Sequence, residues 1–97
     1  MAQHCPSLTT ILRRRQVEAH TGYSRSTIYL RITEGLWTRP VSLGARAVGW
    51  PAAEVDALNA ARIAGRSEAD IRALVARLEQ ARTGVEDALG ANPNLVR

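Results

Sequence analysis

The sequence predicts a small, mainly α domain with a small β-hairpin, followed by a C-terminal helix. Three observations lead to this fold class. The stretch GYSRSTIYLRITEG, from Gly22 to Gly35, has a serine cap at its start and glycines on both sides, as a short helix does. The segment after it alternates apolar and polar residues around a glycine turn, which is typical of a hairpin. Two later stretches repeat apolar residues at steps of three and four, the helical period.

Composition limits what such a chain can be. Its 97 residues are 45% apolar and 4% aromatic, with no phenylalanine, so small aliphatic side chains must form most of a modest core. Cys5 is the only cysteine, which excludes an internal disulfide and argues against a cysteine-based metal site. No apolar stretch has the length of a membrane span, and no export signal is visible. We therefore expect a cytoplasmic protein with no membrane partner.

The positive charge is concentrated in the first half of the chain. All 13 basic residues are arginine, and with nine acids they give a net charge of +4. Residues 1–50 contain seven arginines and two acids, whereas residues 51–97 contain six arginines and seven acids. This asymmetry fits a phosphate-binding region with an extension that packs or binds a partner, although a solvated surface would show the same bias.

A first short helix is predicted after a flexible N-terminus, residues 1–10. It runs from Ile11 through three adjacent arginines and ends at the glycine break after Thr21. Adjacent arginines point in different directions around a helix, and they are often simply solvated. Because a second capped helix follows directly, we interpret Arg14 and Arg15 as candidates for contact with phosphate.

The second helix is predicted from Ser24 to Glu34. The Ser24 oxygen can accept a hydrogen bond from an N–H of the first turn. The next three residues, Arg25, Ser26 and Thr27, then lie at a terminus whose N–H groups and dipole favour an anion. A short helix, a glycine turn and a capped helix follow the order of a helix-turn-helix, in which the second helix enters the major groove of DNA. An ordinary helical hairpin is the alternative.

The hairpin is predicted from Val41 to Trp50, because the period changes after Gly35 and a helix cannot continue through Pro40. Arg46 lies near its tip, and Trp50 is expected to pack the hairpin onto the helices rather than to stack on a base. A basic hairpin next to a helix-turn-helix commonly lies along phosphate or in the minor groove. Residues 11–65 are thus predicted to form a winged helix-turn-helix domain, closed by a helix from about Pro51 to Ala64.

Residues 66–82 are predicted to form a C-terminal amphipathic helix capped by Ser67, and residues 83–97 a loose tail. The apolar stripe of this helix consists of Ile71, Leu74, Val75 and Leu78. It covers only about two heptads, so the helix either folds back on the winged domain or pairs with a second subunit. We favour self-association, which predicts a homodimer.

The segment from Ile11 to Ala64 resembles the AlpA family of phage-type regulators in three stretches: TGYSRSTIY, EGLWTRPVSLGARAVGW and PAAEVDAL. The resemblance implies a winged helix related to excisionases and to the DNA-binding domains of MerR regulators. It also implies binding to DNA near prophage or mobile-element genes. Many relatives have a basic residue directly after the tyrosine, whereas here Leu30 precedes Arg31. The candidate DNA-binding residues are Arg14, Arg15, Ser24, Arg25, Ser26, Thr27, Tyr29, Arg31 and Arg46.

The first functional hypothesis is a sequence-specific double-stranded DNA-binding transcriptional regulator of a prophage or mobile element. An excisionase-like factor that bends attachment-site DNA is the first alternative, and an adaptor acting through the helix from Ser67 is the second. Expected partners are double-stranded DNA, a second copy of the chain, and an integrase or RNA polymerase. An enzyme, a cofactor and a metal site are not expected, since no acid–base pair, phosphate-binding glycine loop or ligand spacing among His4, Cys5 and His20 is present.

Overall fold

A computed structural model describes residues 9–85 of the chain. The described part contains, in order, β1 (Ile11–Arg13), α1 (Arg14–Thr21), α2 (Arg25–Thr33), β2 (Val41–Ser42), β3 (Val48–Pro51), α3 (Ala52–Ile63) and α4 (Glu68–Ala81), followed by a 3-10 turn at Arg82–Gly84. The mainly α fold class with a small hairpin and a C-terminal helix is confirmed. The predicted flexible N-terminus and loose tail lie almost entirely outside the described residues.

The helix-turn-helix has the local geometry that the sequence predicts. Gly22 follows α1 with a φ of 80°, and its N–H donates a 2.8 Å hydrogen bond to the carbonyl of Glu18. This left-handed conformation is the one that favours glycine at the end of a helix. Next, α2 begins directly after Ser24, whose Oγ accepts a 3.2 Å hydrogen bond from the N–H of Thr27. The glycine stop and the serine cap are both confirmed.

The start of the domain differs from the prediction. The sequence predicts a helix from Ile11, but Ile11 and Leu12 lie in β1, which pairs antiparallel with β3. Leu12 is buried opposite Trp50, while its two neighbours are exposed, which is the alternation of a strand. The cause is non-local, because β1 pairs the N–H and C=O groups along the open edge of β3. The predicted hairpin is therefore part of a three-stranded sheet with the order β1-β3-β2.

The buried core combines residues of β1, β3 and all four helices with Trp37: Leu12, Val17, Ile28, Trp37, Trp50, Ala52, Val55, Leu58 and Val75. Trp50 is fully buried, and its Nε1 donates a 2.9 Å hydrogen bond to the carbonyl of Thr38. Its predicted role in packing the hairpin onto the helices is confirmed. Trp37 is also buried, and the Tyr23 ring meets it edge-on with centroids 5.8 Å apart. The sheet and the helices thus share one core.

Helix α4 packs against this core through the predicted apolar stripe. Val75 is buried, and Ile71, Leu74 and Leu78 lie partly buried against the same cluster. Of the two arrangements that the sequence allows, the structure contains the one in which the helix folds back on its own domain. Self-association through this stripe stays a prediction, and it would require a second copy to compete with this packing.

Polar contacts hold the end of α4 to the winged domain. Arg82 donates hydrogen bonds of 2.8 and 2.7 Å to the two carboxylate oxygens of Glu54, near the start of α3. It also donates a 2.6 Å hydrogen bond to the carbonyl of Arg39, whose N–H donates a 2.8 Å bond to Glu79. The Glu54 carboxylate, hydrogen-bonded to the guanidinium, raises the pKa of Arg82 above its ordinary value. These contacts join α4 to α3 and to the segment that precedes the β2–β3 hairpin, which is the wing of the domain.

Candidate nucleic-acid interface

A concave surface lies where β1, α1, α2 and the hairpin meet, and we call it the basic cleft. Its lining residues are Arg13, Arg14, Arg15, Arg25, Tyr29, Arg46 and Val48. Five arginines thus line one cleft, and no acidic residue lines it. Like charges at this density repel one another, and a bound polyanion would relieve the repulsion. The cleft therefore has the electrostatic character of a phosphate-binding site.

The arginine triplet enters the cleft because the chain changes there from strand to helix. Arg13 ends β1, and its Nε donates a 3.1 Å hydrogen bond to the carbonyl of Val48 on β3. Arg14 forms an ion pair with Glu18, four residues later on α1. Arg15 is exposed, and it makes no hydrogen bond or ion pair within the part of the chain that the structure describes. Two arginines are thus fixed by neighbours, and the third is free to bind an anion.

Helix α2 contributes Arg25 and Tyr29, which lie one turn apart on the same face. Tyr29 is 38% exposed, and its ring meets the buried ring of Trp50 at an interplanar angle of 62°, with centroids 6.3 Å apart. This contact fixes the ring against the sheet. Across the cleft from α2, the loop between β2 and β3 supplies Arg46, which has no polar partner among residues 9–85. Helix and wing thus face one opening, as the sequence predicts.

The three hydroxyl groups at the start of α2 bond mainly to each other. Besides accepting from the Thr27 N–H, Ser24 Oγ lies 3.0 Å from Thr27 Oγ1 and 3.3 Å from Ser26 Oγ. Thr27 is half-buried, whereas Ser24 and Ser26 are exposed. Ser24 and Thr27 therefore act as a cap that shapes the helix start, and Ser26 is the hydroxyl best placed for contact with a ligand.

Arg31 does not line the basic cleft. It lies two residues after Tyr29, about 200° around the helix. Its guanidinium carbon is 5.5 Å from the centroid of the Tyr23 ring, and that of Arg62 is 4.4 Å from the same centroid. Leu30, in contrast, is 55% exposed on the outer side of α2. Of these two neighbours, Leu30 is the one that α2 presents outward.

Sequence reasoning missed two lining residues, Arg13 and Val48. The rest of the arginine triplet was predicted, but Arg13 enters the cleft only because it ends a strand. The signal that could have revealed it is the run of β-branched residues Thr9, Thr10 and Ile11 before the helix. This signal spans only three residues, which is too short to decide between strand and helix.

The described part of the chain contains no group of three or more His, Cys, Asp or Glu side chains that could hold a metal ion. His4 and Cys5 lie outside it, and His20 is exposed, with its carbonyl accepting a 2.9 Å hydrogen bond from Asn59. Within residues 9–85 no helix is long and apolar enough to cross a membrane.

Comparison with known proteins gives two matches. A family model described as prophage CP4-57 regulatory protein (AlpA) matches residues 10–63, more than half of the chain. The uncharacterized protein ORF88 of Enterobacteria phage P4 is 53% identical over 45 residues, which cover 46% of this chain and 51% of the phage protein. The chain therefore spans about half the length of this relative. No solved structure matches the chain significantly.

Proposed function

Because this chain belongs to the AlpA family of phage regulatory proteins, we propose that it is a sequence-specific double-stranded DNA-binding transcriptional regulator of a prophage or mobile element. One observation carries the proposal: five arginines from two helices, a strand and the wing line one cleft beside the exposed face of a capped helix. Its place of action would be the DNA in the cytoplasm of a bacterial host.

In this proposal α2 enters the major groove, with Arg25 and Ser26 at its leading end. Arg25 is the first residue of α2 and has no polar partner among residues 9–85. Its guanidinium is therefore free to bind a phosphate or the O6 and N7 acceptors of guanine. Tyr29 offers a ring and a hydroxyl one turn later. Direct reading of bases would thus come from the exposed face of α2.

The other arginines of the cleft would contact the DNA backbone. Arg15 lies at the start of α1, the helix that crosses the backbone in helix-turn-helix proteins, and Arg46 is on the wing. Arg13 uses only its Nε to bond the Val48 carbonyl. Its two Nη groups have no partner among residues 9–85 and are free to bind one phosphate. Phosphate contacts fix the orientation of a protein on the duplex without reading sequence. Affinity would therefore come largely from the cleft, and specificity from α2.

The test is selection of bound sequences from random double-stranded DNA, with the full chain, at about 50 and 200 mM salt. The proposal expects an enriched motif that survives at the higher salt. A variant with both Arg25 and Arg46 replaced by alanine should enrich no motif. Binding without any motif would refute sequence-specific regulation and favour the excisionase-like alternative, in which deformability of the DNA decides the site.

The adaptor alternative has less structural support. The apolar stripe from Ile71 to Leu78, which such an adaptor would present, packs on the core of the same chain. Binding of a second copy, an integrase or RNA polymerase remains a prediction from the sequence. If the selected motif consists of two half-sites with fixed spacing, it supports a dimer on DNA, and a single site supports a monomer.

A further inference from the structure

Helix α2 presents a regular stripe of exposed residues on its outer face. The exposed positions follow the helical period, and they are Arg25, Ser26, Tyr29, Leu30 and Thr33. The opposite face packs, with Ile28 fully buried and Ile32 partly buried against the core. Four members of the outer stripe carry polar groups, and Leu30 is the one that does not.

Leu30 is more exposed than Tyr29 beside it, at 55% against 38%. Single exposed leucines are common in proteins, so exposure alone decides nothing. The position of Leu30 is the informative observation, because it follows Ser26 by one turn and is adjacent to a residue that lines the basic cleft. A duplex held by the cleft arginines against the outer face of α2 would meet this side chain.

We infer that Leu30 is a specificity-determining residue that packs on the 5-methyl group of a thymine in the major groove. The inference rests on the proposed function. A leucine side chain has no hydrogen-bonding group, so it cannot distinguish the donor and acceptor patterns of the bases. The methyl group of thymine is the apolar feature that the major groove presents, and a leucine can exclude water from it. Leu30 thus selects thymine over cytosine at one position of the site.

The test removes the methyl group without changing base pairing. From the motif that selection gives, each thymine is replaced in turn by deoxyuridine, and the dissociation constants of wild type and Leu30→Ala are measured on every duplex. At one position wild type should bind the deoxyuridine duplex about fourfold more weakly, which corresponds to about 0.8 kcal/mol for one buried methyl-sized group. Leu30→Ala should bind the two duplexes equally at that position.

Two further variants separate this contact from a general effect on the protein. Leu30→Met retains an apolar side chain of similar volume, and it should keep most of the dependence on the methyl group. Ile63→Ala is the matched control, since Ile63 is an exposed apolar residue, 87% exposed, on α3 and outside the cleft. Ile63→Ala should show the same loss of affinity as wild type when the thymine is replaced by deoxyuridine. Because Leu30 is exposed, Leu30→Ala should also keep the melting temperature of wild type.

The outcomes distinguish this inference from the proposed function. Suppose that selection gives a motif in which Leu30→Ala abolishes the methyl dependence at no thymine. That result overturns the inference and leaves the regulator proposal standing. Equal sensitivity of wild type and Leu30→Ala to deoxyuridine at every position has the same consequence. If no motif is enriched at either salt concentration, the proposed function and the inference are both overturned.

Discussion

The guanidinium Nε of Arg72, on α4, donates a 2.9 Å hydrogen bond to the carbonyl oxygen of Glu34, the C-cap residue directly after α2. The last carbonyls of a helix lack partners within the helix, and a cation at this end also interacts favourably with the helix dipole. The stem of Arg72 passes close to Gly35, so the side chain also covers the glycine that follows the C-cap. The C-terminal helix thus supports the helix that we propose to read DNA.

Replacing Arg72 by alanine is expected to lower the free energy of unfolding by about 0.5–1 kcal/mol, because half of the side chain is exposed and the loss is screened by water. Urea unfolding followed by circular dichroism measures this change. Arg77→Ala is the matched control, since Arg77 is an exposed arginine on the same helix with no polar partner among residues 9–85.

A second control deals with the other neighbour of Arg72. The guanidinium also lies 3.7 Å from Glu68 in an exposed ion pair, which should contribute little. Glu68→Ala removes this pair and leaves the bond to Glu34. If Glu68→Ala destabilised the protein as much as Arg72→Ala, the bond to the end of α2 would not be the cause.

Replacing Arg82 by methionine is expected to lower the free energy of unfolding by about 3 kcal/mol at neutral pH, because the buried carboxylate of Glu54 loses its cation. Equilibrium unfolding in urea at pH 7 measures the loss. The double variant Arg82→Met with Glu54→Gln removes both charges, and it should be less destabilised than Arg82→Met alone. A double variant with the sum of the two single losses would indicate that the charges do not interact.

Replacing Gly49 by alanine is expected to destabilise the protein by about 1–3 kcal/mol, because the new Cβ would overlap the sheet. It would lie 2.5 Å from Ile11 Cγ2 and 3.0 Å from the carbonyl oxygen of Leu12. Thermal unfolding measures the loss, and Gly84→Ala, where a Cβ meets nothing within 4 Å, is the control. Adding Ile11→Ala to Gly49→Ala should recover part of the loss, and no recovery would show that the backbone contact dominates.

Replacing Arg25 by alanine is expected to weaken binding to the selected motif about tenfold or more, and binding to unrelated DNA much less, if Arg25 reads a base. Arg46→Ala should weaken both by similar factors and reduce the slope of log K against log salt by about 0.9, as loss of one phosphate contact does. Fluorescence anisotropy at several salt concentrations measures both. Equal losses on the two DNAs would make Arg25 a backbone contact.

The matched control for Arg25→Ala is Arg31→Ala, which removes the same charge from the same helix outside the cleft. We expect it to leave the affinity for DNA nearly unchanged, since its guanidinium packs on the Tyr23 ring. If Arg31→Ala weakened specific binding as strongly as Arg25→Ala, the expectation from the sequence that Arg31 contacts DNA would stand, and α2 would have to bind in another orientation.

Local signals were sufficient for much of this fold. The end of α1 at Gly22, the cap at Ser24 and the end of α2 before Gly35 each depend on the conformational preferences of a few adjacent residues. The features that the sequence did not reveal depend on distant partners. Ile11 and Leu12 form a strand because β3, far along the chain, offers an open edge.

The candidate site likewise combines features set by adjacent residues with features set by distant partners. The spacing of Arg25 and Tyr29 placed them on one face correctly, because helical periodicity is local. The structure places the Arg31 guanidinium over the Tyr23 ring, which Arg62 of α3 also contacts, and this arrangement depends on how α3 packs. Contact of Arg31 with DNA stays a prediction. Likewise, the stripe from Ile71 to Leu78 is equally apolar whether it covers its own domain or a partner, so the pattern could not decide between them.

The edge-on contact between Tyr29 and Trp50 has a spectroscopic consequence. One ring borders the basic cleft and the other is fully enclosed, with centroids 6.3 Å apart. Indole emission depends on the electric field and on the aromatic neighbours around the ring, so a duplex that shifts Tyr29 or brings phosphates nearby alters the emission of Trp50 without touching it. Trp37 has a separate neighbour, Tyr23, away from the cleft. Trp50 is thus the tryptophan whose emission is expected to change when a ligand fills the cleft, and the emission of Trp37 is expected to change less.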